Sequence, residues 1–437
     1  MAAEIQDAGR FGTSEGDGAL IAAVAAEVGT PFWLYDAARI ERQIARLRGF
    51  DTIRYAQKAN SNLDLLRVMR RNGVKIDAVS NGEISRALAA GYEAGGDDLV
   101  FTADLFDRST LERVAALNIP VNCGSPDMID QIAAASPGHR IWLRINPGFG
   151  HGHSNKTNTG GPFSKHGIWH EELASLAPRI TAAGLDLVGL HMHIGSGVDY
   201  AHLERVGDAM IEAYRALGLP VRAVSAGGGL SVPYREGGTE IDTAAYFEKW
   251  DSARLAIQQH QNAPVEMEIE PGRFLVAAAG CLVAEVRAVK RVAERYFVMV
   301  DAGFNDLARP SMYGSYHRID FVDAGGNLVA GERHPVAVAG PLCESGDVFT
   351  QGEGGVVEFR ELPLPKVGDF CVFGDAGAYG AAMSSNYNSR PLIPEVMIDG
   401  GGIRLARRRQ TVEELLSLET GESLSVSRQT ASVSRSA

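Results

Sequence analysis

The chain has 437 residues, of which 45% are hydrophobic and 22% charged, with a net charge of -12. That length exceeds the ~250–300 residues at which single cores stop growing, so two domains are expected. The acidic balance argues against general affinity for nucleic acid or anionic membrane, and the best apolar run, Phe274 to Ala284, ends at Glu285 and Arg287, short of the ~20 residues a membrane span needs.

The first residues, Met1 to Gly18, carry acids and glycines in place of a basic region followed by an apolar one, so no secretory signal is expected and the cytoplasm is the expected location. Cys123, Cys281, Cys343 and Cys371 are scattered without a C-x-x-C pair, a pattern that suits reduced thiols. Thr30 to Asp36 reads as a short apolar strand ending on an acidic N-cap, and Ala37 to Arg48 then shows helical spacing through Ile40, Ile44 and Leu47.

From there strand-like and helix-like runs alternate. The strand-like runs are Ile53–Ala56, Lys75–Ser80, Leu99–Thr102, Pro120–Cys123, Ile141–Asn146, Leu187–Ile194, Ala223–Ala226 and Val265–Glu270. Between them lie helix-like stretches such as Asn62–Asn72, Gly82–Ala90, Arg108–Leu117, Tyr200–Leu217 and Tyr246–Gln259. Such alternation implies parallel strands joined by crossover helices, and its length suits an α/β fold of the (β/α)8 TIM-like barrel type, typically ~250 residues. Alternation alone does not show closure, so a doubly wound open sheet is the competing topology.

After Gly280 the texture changes to strand-like runs separated by turns: Cys281–Arg291, Tyr296–Asp301, Val336–Ala339, Val356–Arg360, Asp369–Phe373 and Gly402–Arg408. The expected organisation is a barrel over 36–280 and a second, mostly antiparallel β domain built from 1–35 and 281–419. The serine-rich end, 420–437, is expected to be a disordered tail.

In a barrel, the chemistry gathers at the C-terminal ends of the strands, with a phosphate site after the last two. The candidates fall there. Lys58 follows the first strand, Ser80 to Glu83 the second, His193 to Gly197 the sixth, Gly227 to Gly229 the seventh, and Glu270 to Arg273 the eighth. A partly desolvated lysine favours the neutral amine that Schiff-base chemistry needs, although a lone lysine after a strand is ordinarily a surface residue. Three adjacent glycines let backbone N–H groups approach an anion, with Ser196 as a hydroxyl donor and Gly272 and Arg273 beside them; a plain tight turn is the alternative. Glu266, Glu268 and Glu270 share one face of the last strand. Glu270, at its end, can hold a proton on a pyridine nitrogen, or form a salt bridge to Arg144. His191 shares a face with His193 but lies deeper and reads as structural. No histidine pair has convincing ligand spacing, and His151-Gly152-His153 lies in a Gly-rich loop, so no metal is expected. Lysine, phosphate cup and ring carboxylate on one rim point to pyridoxal 5′-phosphate (PLP).

Four motifs stand on this rim: Tyr55-Ala56-Gln57-Lys58-Ala59, His191-Met192-His193-Ile194-Gly195-Ser196, Ala226-Gly227-Gly228-Gly229-Leu230 and Glu270-Pro271-Gly272-Arg273. Further along the chain come Asn305 to Pro310, Gly340 to Asp347 and Asp375 to Gly380. By these motifs the chain resembles the fold-type III PLP-dependent decarboxylases over about residues 30 to 419, in the enterobacterial form of the branch that acts on meso-diaminopimelate.

The resemblance implies that Lys58 forms the Schiff base with PLP, His193 stacks on its ring and Glu270 meets its nitrogen. It also implies that Gly227, Gly228, Gly229, Arg273 and Tyr379 hold the phosphate region. The resemblance further implies that Arg273, Arg309, Tyr313 and Glu344, with Tyr379 nearby, bind the substrate's non-reacting amino-carboxylate end and that Cys343 protonates the carbon that loses carbon dioxide. A guanidinium suits a carboxylate and a carboxylate suits an ammonium, and meso-diaminopimelate carries both groups at that end.

In the family the Cys343–Glu344 segment reaches a partner's site, which implies a homodimer with shared active sites; Lys165 is expected to pair with Asp347 across it. Asp77 and Arg144 match positions lining the cofactor site. Gly148 to Ile168 departs from the wider family's pattern. The competing functions are decarboxylation of ornithine, lysine or arginine, the fold's neighbour alanine racemase, which would not need Cys343, and a non-catalytic PLP-binding regulator.

Overall fold

The computed structural model describes residues 17–150, 159–193, 195 and 200–422. Ser196, His151 to His153 and most of the serine-rich tail lie outside the described residues.

A short strand, β1 (Phe32–Asp36), stands apart from the barrel. The barrel strands follow as β2 (Thr52–Ala56), β3 (Lys75–Ala78), β4 (Leu99–Ala103), β5 (Val121–Cys123) and β6 (Arg140–Asn146). After the two-residue β7 (Ile168–Trp169), which pairs with the end of β6, come β8 (Asp186–His191), β9 (Ala223–Ser225) and β10 (Glu266–Ile269). Neighbouring strands are parallel throughout, β10 pairs with β2 and β5 pairs with β6, so the sheet closes on itself. An open doubly wound sheet has two unpaired edges, and closure excludes it.

All eight strand-like runs become barrel strands. Four of them, β3, β8, β9 and β10, end one to three residues before the corresponding run, β3 because Ser80 starts the next helix. Polar residues start other helices in the same way. Asn62 accepts from Asp64 N (2.9 Å), Ser80 from Glu83 N (3.1 Å) and Asp107 from Thr110 N (2.9 Å), each satisfying an N–H that the first helical turn leaves free. Ser80 and Glu83, read as rim candidates, are thereby engaged in helix capping: the Glu83 carboxylate returns to accept from Val79 N at 2.8 Å. Inside the barrel the buried Arg54 and Glu268 form a two-pronged pair (2.6 and 2.9 Å), and Arg54 also donates to Asp97 O.

The second sheet contains β11 (Gly280–Val292), β12 (Arg295–Val300), β13 (Ile319–Val322), β14 (Arg333–Ala339), β15 (Arg360–Pro363), β16 (Phe370–Phe373), β17 (Glu395–Asp399) and β18 (Gly402–Arg407). β1 lies between β11, to which it is antiparallel, and β17, to which it is parallel; β12 and β14 form the other parallel pair, and the remaining pairings are antiparallel. A helix at Asp17–Val28 covers this sheet, burying Ile21 and Val24 with Phe32, Leu34 and Val283.

The sequence reading places a strand at Val356–Arg360, but regular pairing begins only at Arg360. Gly354 and Gly355 adopt positive φ (75° and 78°) and Gly352 N bonds Val356 O at 2.9 Å, so the preceding residues are spent on a turn.

The sheet meets the barrel at the lysine turn. Tyr379 N donates to Ala59 O (2.8 Å) and Asn60 Nδ2 to Gly377 O (3.2 Å), which brings the loop carrying Tyr379 over the barrel mouth.

Candidate active site

Lys58 sits in a single 3-10 turn, Gln57–Ala59, at the end of β2. Its neighbours Gln57 and Ala59 are fully buried, and Tyr55 Oη donates to Asn60 O (3.0 Å), so the turn is fixed on both sides of the lysine. Lys58 itself is exposed to the cavity, which corrects the expectation of a lysine activated by desolvation: the inward positions of this turn are taken by its neighbours. Its amine has no protein partner among the described residues.

Below Lys58 is a polar floor of about 40 Å³ lined by Asp77, Thr102, Arg144, His191, His193 and Glu270. His191 Nε2 is 2.7 Å from Glu270 Oε2, and both residues are buried. His191, read from sequence as structural, is thus the direct partner of the carboxylate, in place of the Arg144 salt bridge considered there. Burial alone would raise the Glu270 carboxyl, but His191, followed by Arg144 and Lys58, holds it below the usual carboxylate range. Burial and the charge of Glu270 push the nearby Asp77 up to about 7. Of these two carboxyls, Glu270 keeps the charge and Asp77 retains a proton toward neutrality.

His193 faces this floor from the other side, and its Nδ1 accepts from Gly228 N at 3.2 Å. An imidazole nitrogen that accepts a backbone N–H carries no proton, and burial, with the Arg144 and Lys58 charges, holds the ring well below its usual pKa; His193 is neutral with its proton on Nε2.

Gly227 and Gly229 have φ of 59° and 106°, and a Cβ on any of the three glycines would lie 2.3–2.6 Å from a backbone oxygen of Met192, Glu270 or Gly195. Only glycine fits this triple contact. Gly272 also packs against the lysine turn: its Cβ would stand 3.2 Å from those of both Ala56 and Ala59.

Above Lys58 the cavity opens to about 700 Å³. Arg273, Arg309, Tyr313 and Tyr379 all line it. Arg273 Nη1 and Arg309 Nη1 both donate to Tyr234 Oη (2.7 and 3.2 Å), and Arg309 Nη1 also donates to His317 Nε2 (3.0 Å). His317 passes its Nδ1 proton to Gly374 O (3.1 Å), and burial, with the Arg309 charge, holds its ring neutral. Neither guanidinium has a carboxylate partner among the described residues, although Arg309 is buried and Arg273 nearly so. Two adjacent cations without a counter-ion make an anion site.

Sequence reasoning missed Tyr234 and His317. Tyr234 stands five residues past the glycine triplet and could have been found as an aromatic on the same rim loop. His317 carries no local signal, because its partners come from residues 309 and 374.

Cys343 and Glu344 are exposed and line neither cavity. Their loop is organised by the buried Asp347, whose carboxylate accepts from Leu342 N (2.8 Å) and Phe304 N (2.7 Å). Asp347 is therefore engaged by the backbone of its own loop.

The residues present fit PLP. Asp77 Oδ1 and His191 Nδ1 are buried at the floor with no protein partner among the described residues. An ionised carboxylate awaits a ring nitrogen, a free amine stands above it, and the backbone N–H groups of Gly229 and Gly272 have no acceptor among the described residues.

Residues 37–277 match the family model of the pyridoxal-dependent decarboxylases, pyridoxal binding domain. Diaminopimelate decarboxylase of Streptomyces coelicolor is 64% identical over 413 residues, covering 94% of each chain, and that of Escherichia coli is 61% identical over 399 residues, covering 90% of this chain and 94% of its own. The chain belongs to the diaminopimelate decarboxylase family. A crystal structure from this family superposes with a TM-score of 0.89 at 60% identity, covering 91% of this chain and 96% of its own. The Helicobacter pylori member, solved in complex with L-lysine, gives a TM-score of 0.80 at 31% identity, covering 91% of this chain and 98% of its own. The fold, the decarboxylase class and the PLP dependence expected from sequence agree with these relatives. Among the described residues no helix is long and apolar enough to cross a membrane, and no group of three metal-ligating side chains is found.

Proposed function

We propose that the protein removes one carboxylate from meso-2,6-diaminopimelate to give L-lysine and carbon dioxide, in the cytoplasm, as the last step of lysine biosynthesis. The observation that carries the substrate choice is the Arg273–Arg309 pair, two adjacent guanidiniums without a protein counter-ion in the cavity that holds Lys58. A simple diamino acid such as ornithine has no second carboxylate to fill that site.

PLP, when bound, supplies an electron sink for the pair left behind as the carboxylate departs. Lys58 would provide the amine that holds it, Glu270 would keep a proton on its ring nitrogen and neutral His193 would pack on its ring. Gly227 to Gly229, Gly272, Arg273 and Tyr379 would hold its phosphate, and Ser196, which lies outside the described residues, is assigned there from sequence alone. Arg309, Tyr313 and the far side of Arg273 orient the substrate by its non-reacting carboxylate, which leaves the other carboxylate at the reacting end. The Lys58 amine would also serve as a base within the site. The partner subunit's Cys343 donates a proton to the substrate carbon, and the partner subunit's Glu344 binds the distal ammonium. Exposure of both residues on the single chain, away from its own cavity, supports a homodimer in which each copy completes the other's site.

The test is chromatographic detection of L-lysine after incubating PLP-loaded protein with meso-diaminopimelate, beside Lys58→Ala. Lysine formed by the wild type and absent with the variant is the expected result. No lysine from a wild type that has bound PLP would overturn the reading.

A further inference from the structure

The hydrogen-bond count at Tyr234 leaves one group unassigned. A phenol oxygen can accept two hydrogen bonds and donate one, whereas a guanidinium can only donate. Arg273 and Arg309 therefore use both acceptor positions of Tyr234 Oη, and its O–H has no protein acceptor among the described residues. The ring is held in place: it lies 5.7 Å below the Arg273 guanidinium and 5.0 Å below that of Arg309, and meets His317 edge-on at 5.6 Å. Accepting from two cations also polarises the O–H and strengthens it as a donor. The free proton thus faces the cavity that Tyr234 lines with Arg309 and Tyr313, a space for an anion already flanked by two positive charges.

We propose that Tyr234 is a further specificity-determining residue, whose hydroxyl donates to the carboxylate at the non-reacting end of the substrate. This rests on the proposed function. The alternative oxyanion is the cofactor's phosphate. Tyr234 lines the upper cavity and not the floor around Glu270 and the glycine triplet, which favours the substrate carboxylate. The hydroxyl also bridges the two domains, because Arg273 comes from the barrel side and Arg309 from the sheet side; it sets the spacing of the two guanidiniums and completes a cup of three donors.

The test uses two ligands that differ only in this group. L-Lysine keeps the non-reacting carboxylate and cadaverine lacks it. Binding of each to the PLP-loaded protein is measured by calorimetry for the wild type and for Tyr234→Phe, which keeps the ring under both guanidiniums and removes only the hydroxyl. Loss of a hydrogen bond to a charged group weakens L-lysine binding by about 10–100-fold, with cadaverine and PLP affinities unchanged. An unchanged preference for L-lysine in Tyr234→Phe would overturn the role of Tyr234 and leave the proposed function standing. Equal weakening of both amines would assign Tyr234 a purely structural role, and weakened PLP alone would assign the hydroxyl to the phosphate. A wild type that binds both amines equally would remove the carboxylate cup itself, and the inference with it.

Discussion

Replacing His191 by phenylalanine tests whether the floor of the site is set electrostatically. The Nε2 proton of His191 meets Glu270 Oε2 at 2.7 Å with both side chains buried, and Glu270 is held below the usual carboxylate range against the opposing effect of burial. A buried hydrogen bond to a charged group contributes about 1.5–3 kcal/mol, which corresponds to about one to two pKa units at 1.36 kcal/mol each. Without the imidazole, burial dominates and the Glu270 carboxyl rises by about that amount. The sign follows from the depressed pKa. Its contribution is complete above the unfolded carboxyl value and disappears as pH falls through the lower folded value, so raising the folded value moves the loss to higher pH. The expected result is an acid limb of kcat/KM shifted upward by about one to two units in His191→Phe, with weaker PLP binding, and a return toward the wild-type profile in His191→Gln, whose amide can still donate. Steady-state rates between about pH 4.5 and 8, with PLP saturating, provide the assay. An acid limb that stays in place while the protein remains folded would refute the assignment of His191 as the group that keeps Glu270 ionised.

Two further predictions address the assembly and the barrel. Mixing Lys58→Ala with Cys343→Ala subunits, each inactive alone, restores up to about a quarter of wild-type activity if copies exchange at random and share their sites; no recovery after verified exchange would confine the site to one chain. Arg54→Met leaves Glu268 buried without its two-pronged partner and lowers stability by about 3–5 kcal/mol, read from the urea midpoint, whereas exchanging both residues for apolar ones of similar volume costs less. Equal losses for the single and double variants would contradict that account of the pair.

The barrel was legible because local signals agree with the global fold. Apolar runs such as Ile141–Asn146 are too short for helices, and polar caps such as Asn62 and Asp107 mark where each helix begins. A strand's end also fixes which residues reach the mouth, so Lys58, His193, Glu270 and Arg273 could be placed together before any contact was known. The second sheet was less legible. Ile319–Val322 and Glu395–Asp399 were not read as strands, since their partners are β16 for the first and β1 and β18 for the second, and a four- or five-residue run does not reveal such partners. His191 and His317 show the same limit at the level of side chains. His191 looked inert because period two only states which face it shares, and its importance comes from Glu270, 79 positions later. Asp347 is expected from sequence only to pair with Lys165 across an interface, and nothing local shows that its carboxylate serves the backbone of its own loop.

Selection of a substrate with a second carboxylate by the two guanidiniums is tested most directly by carbon dioxide release from meso-diaminopimelate, L-lysine and L-ornithine offered in parallel to the PLP-loaded protein, with Lys58→Ala as control. Release from meso-diaminopimelate alone, abolished in the variant, is the expected result. Release mainly from ornithine or lysine would contradict it, because Arg273 and Arg309 would then have no anion to bind at the non-reacting end.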